Sequence, residues 1–123
     1  MFRKDNGFTA RLLLQHKLLY LITDETEITF HISKTVSESI IRLVKENNPK
    51  IVAIDMSTIQ RIDSSGIGAL INILSECMKK DCELILVGVD DKVRRIFKLI
   101  NMDSSFKQVN TIGEITNEAN KSN

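Results

Sequence analysis

Two near-continuous apolar runs constrain the fold of this chain more than any other feature of its sequence. They cover residues 50–56 and 83–89, and runs of this kind are typical of central strands that are covered on both faces. A strand, a helix and a second strand of this type predict an α/β sheet that is parallel in its centre. The helix between the two runs is predicted from an apolar stripe at Ile67, Leu70, Ile71, Leu74 and Met78.

Short segments on either side predict further strands. Residues 8–14 and 17–22 have the composition of an antiparallel hairpin, with a tight turn at residues 15–17 that includes His16. Residues 27–31 alternate polar and apolar side chains, which predicts either a third short strand or an extended loop. Residues 106–109 predict a last short strand. The expected result is a mixed central β-sheet of four to five strands.

Three more helices complete the predicted architecture. One begins at about Lys34, with Ser33 or Thr35 as its N-cap, and ends before the single proline of the chain, since proline disfavours helical geometry in the residue before it. Residues 90–100 and 111–120 predict the other two helices. We therefore expect an α/β fold in which about four α-helices flank the sheet, with an N-terminal antiparallel hairpin and a parallel centre.

Composition limits the kinds of partner. Lys and Arg number 17 against 16 Asp and Glu, so the formal net charge is +1 and the bulk charge favours neither nucleic acid nor an acidic membrane. No apolar stretch is long enough for membrane insertion and no targeting signal is visible, which predicts a cytoplasmic protein. Cys77 and Cys82 are interpreted as reduced thiols. With 123 residues, we expect one domain with a core at about 8–118 and frayed ends.

One segment, residues 62–68 (Ile-Asp-Ser-Ser-Gly-Ile-Gly), stands between a buried strand and the amphipathic helix. Asp63 and the two serines after it are good N-cap residues, so the segment is interpreted either as a capped helix start or as a functional loop. Two hydroxyls at the positive end of a helix can bind phosphate. Gly66 and Gly68 are poor helix formers, and their presence suggests close approach of another backbone or of a partner.

The familiar catalytic patterns are missing from the sequence. A nucleophile elbow requires glycine two positions before the serine, and Ile62 stands there instead. His16 and His31 have no linked acid, and no phosphate-binding loop ending in Gly-Lys-Ser or Gly-Lys-Thr exists. Asp55 follows a strand but lacks the other residues of a phospho-acceptor site. We predict a protein that is not an enzyme and that uses neither a cofactor nor a metal.

Residues 51–57 (Ile-Val-Ala-Ile-Asp-Met-Ser) and residues 62–70, which continue through the Asp-Ser-Ser-Gly-Ile-Gly core to Ala-Leu, resemble the signature of STAS domains. Within that family the chain looks most like the small bacterial anti-sigma factor antagonists. The resemblance covers about residues 34–118. A few letters of this core alone are weakly specific, but the core is specific where it joins a buried strand to an amphipathic helix, as it does in this sequence.

The resemblance implies a binding module that is switched by phosphorylation and regulates transcription. Antagonists of this kind bind an anti-sigma factor with serine kinase activity, which frees the sigma factor. The kinase then phosphorylates the serine after the aspartate, and a serine phosphatase resets it. That serine is Ser64 in this chain, with Ser65 as the alternative acceptor. The implied partner-binding residues are Asp63, Ser64, Ser65, Gly66, Ile67 and Asp24.

The turn after the second predicted strand is Thr23-Asp24-Glu25-Thr26, where the family usually has Gly-x-Leu-Asp, so the identity of the partner is not determined.

Two other functions stay open at this point. The chain also fits a STAS scaffold or accessory subunit, in a stressosome-like assembly or bound to an ABC transporter. A sensor of a small ligand or nucleotide is the third possibility.

Overall fold

The computed structural model describes residues 2–5, 7–13, 15 and 17–121. Its strands, in chain order, are β1 (Phe2–Asp5), β2 (Phe8–Leu13), β3 (Leu18–Thr23), β4 (Glu27–Ile28), β5 (Ile51–Asp55), β6 (Arg61–Ile62), β7 (Glu83–Val87) and β8 (Lys107–Val109). Its helices are α1 (Phe30–Asn47), α2 (Ser64–Lys79), α3 (Asp91–Leu99) and α4 (Ile112–Lys121).

The main sheet has six strands in the order β1-β2-β3-β5-β7-β8, and β4 and β6 form a separate parallel pair. The pairs β1-β2 and β2-β3 are antiparallel, whereas β3, β5, β7 and β8 run parallel. The predicted mixed α/β class is therefore confirmed. The predicted number of strands was too small, because Phe2–Asp5, expected to be a frayed end, pairs with β2. His16, predicted in the hairpin turn, lies outside the described residues.

Side chains of the central strands alternate between two layers of helices. Val52 and Ile54 of β5 belong to a core shared with α1, α2 and α3. Ala53 of the same strand faces the opposite side, where Ile115 of α4 is buried. This alternation explains the near-continuous apolar runs in the sequence, since each strand needs apolar residues on both faces. Among the described residues, no helix combines the length and apolar character required to cross a membrane.

Helix α1 begins earlier than the sequence predicts. Its first residue is Phe30 and its N-cap is Thr29, so Ser33 is not the cap but a buried residue of the first turns. Thr29 makes no side-chain capping bond. The Phe30 N–H instead donates to the carboxylate of Asp63, at 2.9 Å. The start of α1 is thus determined by a residue 33 positions away, which the local sequence pattern does not reveal.

The buried face of α2 is rotated relative to the predicted stripe. Ile67 and Leu70 are buried as predicted, but Ile71 is 40% exposed and Met78 is 70% exposed. The prediction was wrong at these two positions because it counted only large apolar side chains. Helix α2 packs against α1 as well as against the sheet, and its buried residues include small ones. Its buried residues are Gly66, Ile67, Ala69, Leu70, Ile73 and Cys77.

Two loops meet where β3 and β5 end. The Gln60 N–H donates to the Thr26 carbonyl at 2.7 Å, and the Thr58 hydroxyl donates to the Glu25 carbonyl at 2.7 Å. The short β4-β6 pair continues this contact toward the first residues of α1 and α2. The fold therefore brings residues 23–30 and residues 56–65 together at one end of the sheet.

Candidate functional site

Asp63 holds the beginnings of two helices together. Its side chain is the N-cap of α2, with Oδ1 accepting from the Gly66 N–H at 2.9 Å. The second oxygen, Oδ2, accepts from the Phe30 N–H at the start of α1, also at 2.9 Å. A helix start leaves backbone N–H groups without partners, and one carboxylate satisfies a donor from each helix. The capping interpretation of the motif is therefore correct for Asp63, and the cap also joins two elements.

These bonds favour the ionised carboxylate. The hydrogen bond from Gly66 is the largest influence, and it lowers the pKa of Asp63 below its usual value. Partial loss of hydration opposes this effect, while the bond from Phe30 lowers the pKa further. A depressed pKa in the folded state means that the charge contributes stability above the ordinary aspartate pKa, and that this stability is lost as the pH falls through the lowered value.

Replacing Asp63 with Asn is expected to destabilise the protein most at neutral pH. The amide keeps one acceptor oxygen but presents an NH₂ group to the second backbone donor, so one of the two caps is lost. The expected loss of stability is measured by chemical unfolding of the wild type and of Asp63→Asn at several pH values between about pH 2 and pH 7. The difference in unfolding free energy should shrink at acid pH, where Asp63 of the wild type becomes protonated. A difference that is the same at every pH contradicts the two-cap interpretation.

Gly66 is required by the close approach of β4. A Cβ built on Gly66 would lie 2.0 Å from the Ile28 carbonyl oxygen and 2.6 Å from Ile62 Cγ1. The close approach expected at this glycine is confirmed, and the approaching backbone is the chain's own. Gly68 differs, because a Cβ there would meet no atom within 4 Å. Packing within the described chain does not account for a glycine at position 68.

The two candidate acceptors have different surroundings. Ser64 is the first residue of α2 and is exposed, as the motif predicts. Ser65 is half-buried and lines a groove between α1 and α2. Asp63 supplies the cap of α2, so neither serine side chain is needed for that role. Their use as phosphate acceptors stays a prediction.

The structure separates the remaining partner-binding candidates. The Ile67 side chain is buried in the core, and Gly66 is buried against Ile28, so neither presents a side chain to a partner. The helix turns the apolar side chain of Ile67 inward, and a contact of Ile67 with a partner stays a prediction. Asp24 is exposed in the loop that Thr58 holds through the carbonyls of Thr23 and Glu25. Asp24 thus shares an end of the sheet with Ser64 without adjoining it in the chain.

The sequence interpretation missed an exposed aromatic residue at the site. Phe30 is 73% exposed, and its backbone is bonded to the carboxylate that precedes Ser64. Its ring lies edge-on to His31, with the ring centroids 5.6 Å apart. Large exposed aromatic side chains are enriched at protein interfaces. The only available signal was the apolar residue in the alternating segment 27–31, which predicted a strand position and not a helix start.

The geometry offers little for catalysis among the described residues. Asp55 is engaged by the Tyr20 hydroxyl at 3.1 Å and by the Ser57 N–H at 2.9 Å, so it stabilises the turn after β5. Burial and the neighbouring Asp55 carboxylate raise the pKa of Tyr20 to about 12, which keeps the phenol protonated as a donor. No group of three or more His, Cys, Asp or Glu side chains is arranged for a metal within the part of the chain that the structure describes.

Comparison with known sequences finds a model of the STAS domain that matches residues 13–115. A Thermotoga maritima protein provisionally named an anti-sigma factor antagonist is 32% identical over 66 residues, covering 54% of this chain and 58% of that protein. The anti-sigma-B factor antagonist of Listeria monocytogenes is 26% identical over 65 residues, covering 53% and 57%. MlaB, a binding protein of the intermembrane phospholipid transport system of Escherichia coli, is 35% identical over 52 residues, covering 42% and 54%. The chain thus spans little more than half the length of these relatives.

Solved structures match over almost the whole chain. A Thermotoga maritima protein with the same provisional name superposes with a TM-score of 0.80 at 23% identity, covering 92% of this chain and 94% of that one. A sulfate transporter family protein from Wolinella succinogenes gives 0.74 at 18% identity, covering 89% and 88%. The unphosphorylated anti-sigma factor antagonist SpoIIAA gives 0.70 at 14% identity, covering 92% and 97%. At such low identities these likenesses establish the fold alone.

Proposed function

The chain belongs to the STAS domain family, and on that basis we propose that it is an anti-sigma factor antagonist switched by phosphorylation of Ser64. In this proposal the unphosphorylated chain binds an anti-sigma factor with serine kinase activity in the cytoplasm, so that a sigma factor is released. The kinase phosphorylates Ser64 and the complex separates, and a serine phosphatase restores the binding form. The chain acts by binding a partner and not by catalysis.

The observation that carries this proposal is the position of Ser64. It is exposed and follows immediately after Asp63, whose carboxylate is bonded to the starts of both α1 and α2. A kinase can therefore reach a hydroxyl whose backbone is held in one place, as in-line phosphoryl transfer requires. The fold shared with SpoIIAA supports the same function, and so do the names of the Thermotoga maritima and Listeria monocytogenes relatives.

Phosphorylation of Ser64 adds a large negative charge next to the carboxylate of Asp63. A phosphate adds about −1.5 to −2 charges at neutral pH, and Asp63 beside it is already ionised. In the isolated chain Ser64 is exposed, so water solvates this charge, and the positive end of the α2 dipole favours it. At an interface the same charge must be desolvated next to exposed Phe30, which opposes binding. Phosphorylation thus weakens the complex without unfolding the chain.

Mapping the phosphate tests the proposal. The chain is incubated with ATP and purified anti-sigma factor kinases from its source organism, and the modified residue is identified by mass spectrometry. We expect one phosphate on Ser64 in the wild type and in Ser65→Ala, and none in Ser64→Ala. Ser64→Ala should remain folded, since the N-cap of α2 is Asp63. Phosphate on Ser65 alone refutes the assignment of Ser64.

A second candidate function has its own support. The similarity to MlaB and to a sulfate transporter family protein favours an accessory subunit of a transporter. Such a subunit uses the same fold as a docking module and has no need of phosphorylation. If none of the kinases modifies either serine, the transporter or scaffold function replaces the proposed one.

A further inference from the structure

The two cysteines of the chain lie together where α2 ends and β7 begins. Cys77 is in the last turn of α2, and Cys82 is the residue before β7. Both belong to the main core, with exposed fractions of 0% and 7%, and both thiols are free. The pair is remote from Ser64, which begins α2 at its other end. The proposed function therefore makes no use of it.

The way in which α2 ends brings the two cysteines into contact. Asp81 has a left-handed backbone with a φ of 54°, directly after the C-cap residue Lys80. The Cys82 N–H donates to the Cys77 carbonyl at 2.8 Å. The Asp81 N–H donates to the Met78 carbonyl at 3.4 Å. These two bonds form a Schellman motif, in which the side chains at the first and last of the six positions pack on each other. In this chain both of those side chains are cysteines.

The two thiols are not equivalent. The Cys77 thiol donates a hydrogen bond to the Cys82 sulfur, and this bond lowers the pKa of Cys82. Burial and the nearby Glu83 oppose the shift, and a bond from the Val52 backbone N–H adds to it. The same side-chain bond, together with burial, raises the pKa of Cys77. Cys82 is therefore the better thiolate and the more accessible sulfur, and Cys77 is a protonated thiol in contact with it.

Packing does not require sulfur at both positions. The contact within a Schellman motif is satisfied by any pair of apolar side chains that fits. Within residues 17–121 and the other parts of the chain that the structure describes, no third His, Cys, Asp or Glu completes a metal site with these thiols. Exchange between a dithiol and a disulfide is a reaction that two adjacent cysteines can perform and other apolar pairs cannot.

We propose that Cys77 and Cys82 form a reversible disulfide when the folded chain meets hydrogen peroxide. The Cys82 thiolate attacks one peroxide oxygen, the O–O bond breaks, and the departing hydroxide takes a proton to become water. The Cys77 sulfur then attacks the sulfenic acid on Cys82, so that an S–S bond forms, the S–O bond breaks and a second water leaves with the Cys77 proton. The two thiols lose two hydrogens and two electrons, and one peroxide becomes two water molecules.

The disulfide links the end of α2 to the start of β7 in the arrangement that the backbone bonds already hold. The folded chain keeps the two thiols in contact, whereas the unfolded chain separates them, so folding favours the disulfide. By the same thermodynamic cycle the disulfide favours folding. We therefore expect the oxidised chain to unfold at a higher temperature than the reduced chain does.

Oxidation of the folded, full-length chain tests this inference. The reduced chain is treated with hydrogen peroxide, remaining thiols are blocked with N-ethylmaleimide in denaturant, and the products are identified by mass spectrometry. We expect the loss of two hydrogen atoms, a peptide link between Cys77 and Cys82, and no blocked thiol. Dithiothreitol should restore both thiols. Thermal unfolding without reductant should give the higher midpoint for the oxidised chain.

A matched control moves one thiol by a single residue. Cys77→Ala combined with Met78→Cys places the thiol at a position whose native side chain is 70% exposed and lies outside the core. Equilibrium in glutathione buffers compares this variant with the wild type. We expect the variant to require a buffer that is about tenfold or more oxidising for half-formation of its disulfide. In Cys82→Ala the remaining Cys77 should resist peroxide, because it is fully buried and its pKa is raised.

Three results overturn the inference. If peroxide leaves both wild-type thiols free for N-ethylmaleimide, the pair serves only as part of the core. A lower unfolding midpoint for the oxidised chain, or equally easy disulfide formation in the shifted variant, shows that the end of α2 does not hold the thiols in position. Oxidation of wild-type Cys82 to a sulfinic acid without a link contradicts the role given to Cys77. The inference is independent of the proposed function, because none of these results depends on phosphorylation of Ser64.

Discussion

Replacing Leu70 with Asp is expected to unfold the protein without added denaturant. Leu70 is 1% exposed and packs in the core that α1, α2 and α3 share with the sheet. A carboxylate at this position loses its hydration and finds no cation among the core residues, at a cost of about 5 kcal/mol or more once the lost apolar contacts are included. This equals the whole stability of many domains.

Ile71→Asp is the matched control for Leu70→Asp. The sequence predicts both residues in the same apolar stripe, but Ile71 is 40% exposed. Its carboxylate stays hydrated, so we expect a loss of about 1 kcal/mol and a cooperative unfolding transition. Circular dichroism during thermal unfolding measures the stability and the cooperativity of Leu70→Asp and of Ile71→Asp. Equal behaviour of the two variants contradicts the orientation of α2 in this structure.

Gly66→Ala is expected to have the second-largest effect on stability. The added Cβ would lie 2.0 Å from the Ile28 carbonyl oxygen, which belongs to backbone and cannot rotate away as a side chain does. Relief requires β4 and α2 to separate, which disturbs the Asp63 bonds to Phe30 and Gly66. We expect a loss of about 3 kcal/mol or more in unfolding free energy, at the upper end of the usual cost of overpacking.

The matched control is Gly68→Ala, two residues further along the same helix. Its Cβ meets no atom within 4 Å, and alanine is a better helix former than glycine by about 0.5–1 kcal/mol. Urea denaturation should therefore show a gain in stability for Gly68→Ala and a large loss for Gly66→Ala. A change of the same sign in both variants contradicts the packing described for the start of α2.

The parts of the fold that follow from local pattern were predictable. Strands β5 and β7 are long apolar runs, and the hairpin β2-β3 has turn residues between two short apolar segments. The helix start at Ser64 follows from an aspartate and two serines before an apolar stripe, which is a local signal. For the same reason the sequence alone marks Asp63, Ser64 and Gly66 as one unit.

The remaining features depend on contacts that are distant in sequence. Helix α1 begins at Phe30 because Asp63 caps it from across the fold, and the exposure of Phe30 follows from that start. The buried face of α2 includes Ala69 and Cys77, which a count of large apolar residues does not weight. The groove beside Gly68 exists only after α1 and α2 pack together. None of these contacts leaves a periodic pattern in the chain.

The affinity of the anti-sigma factor kinase for the chain, before and after phosphorylation of Ser64, tests the central claim most directly. Calorimetry with the purified kinase should show tight binding of the unphosphorylated chain and at least a hundredfold weaker binding of the chain phosphorylated at Ser64, a difference of about 2.7 kcal/mol. Ser64→Ala should bind as the unphosphorylated wild type does and keep its affinity after incubation with ATP. Equal affinity of the phosphorylated and unphosphorylated chains contradicts the account, because the charge at Ser64 would then not control binding.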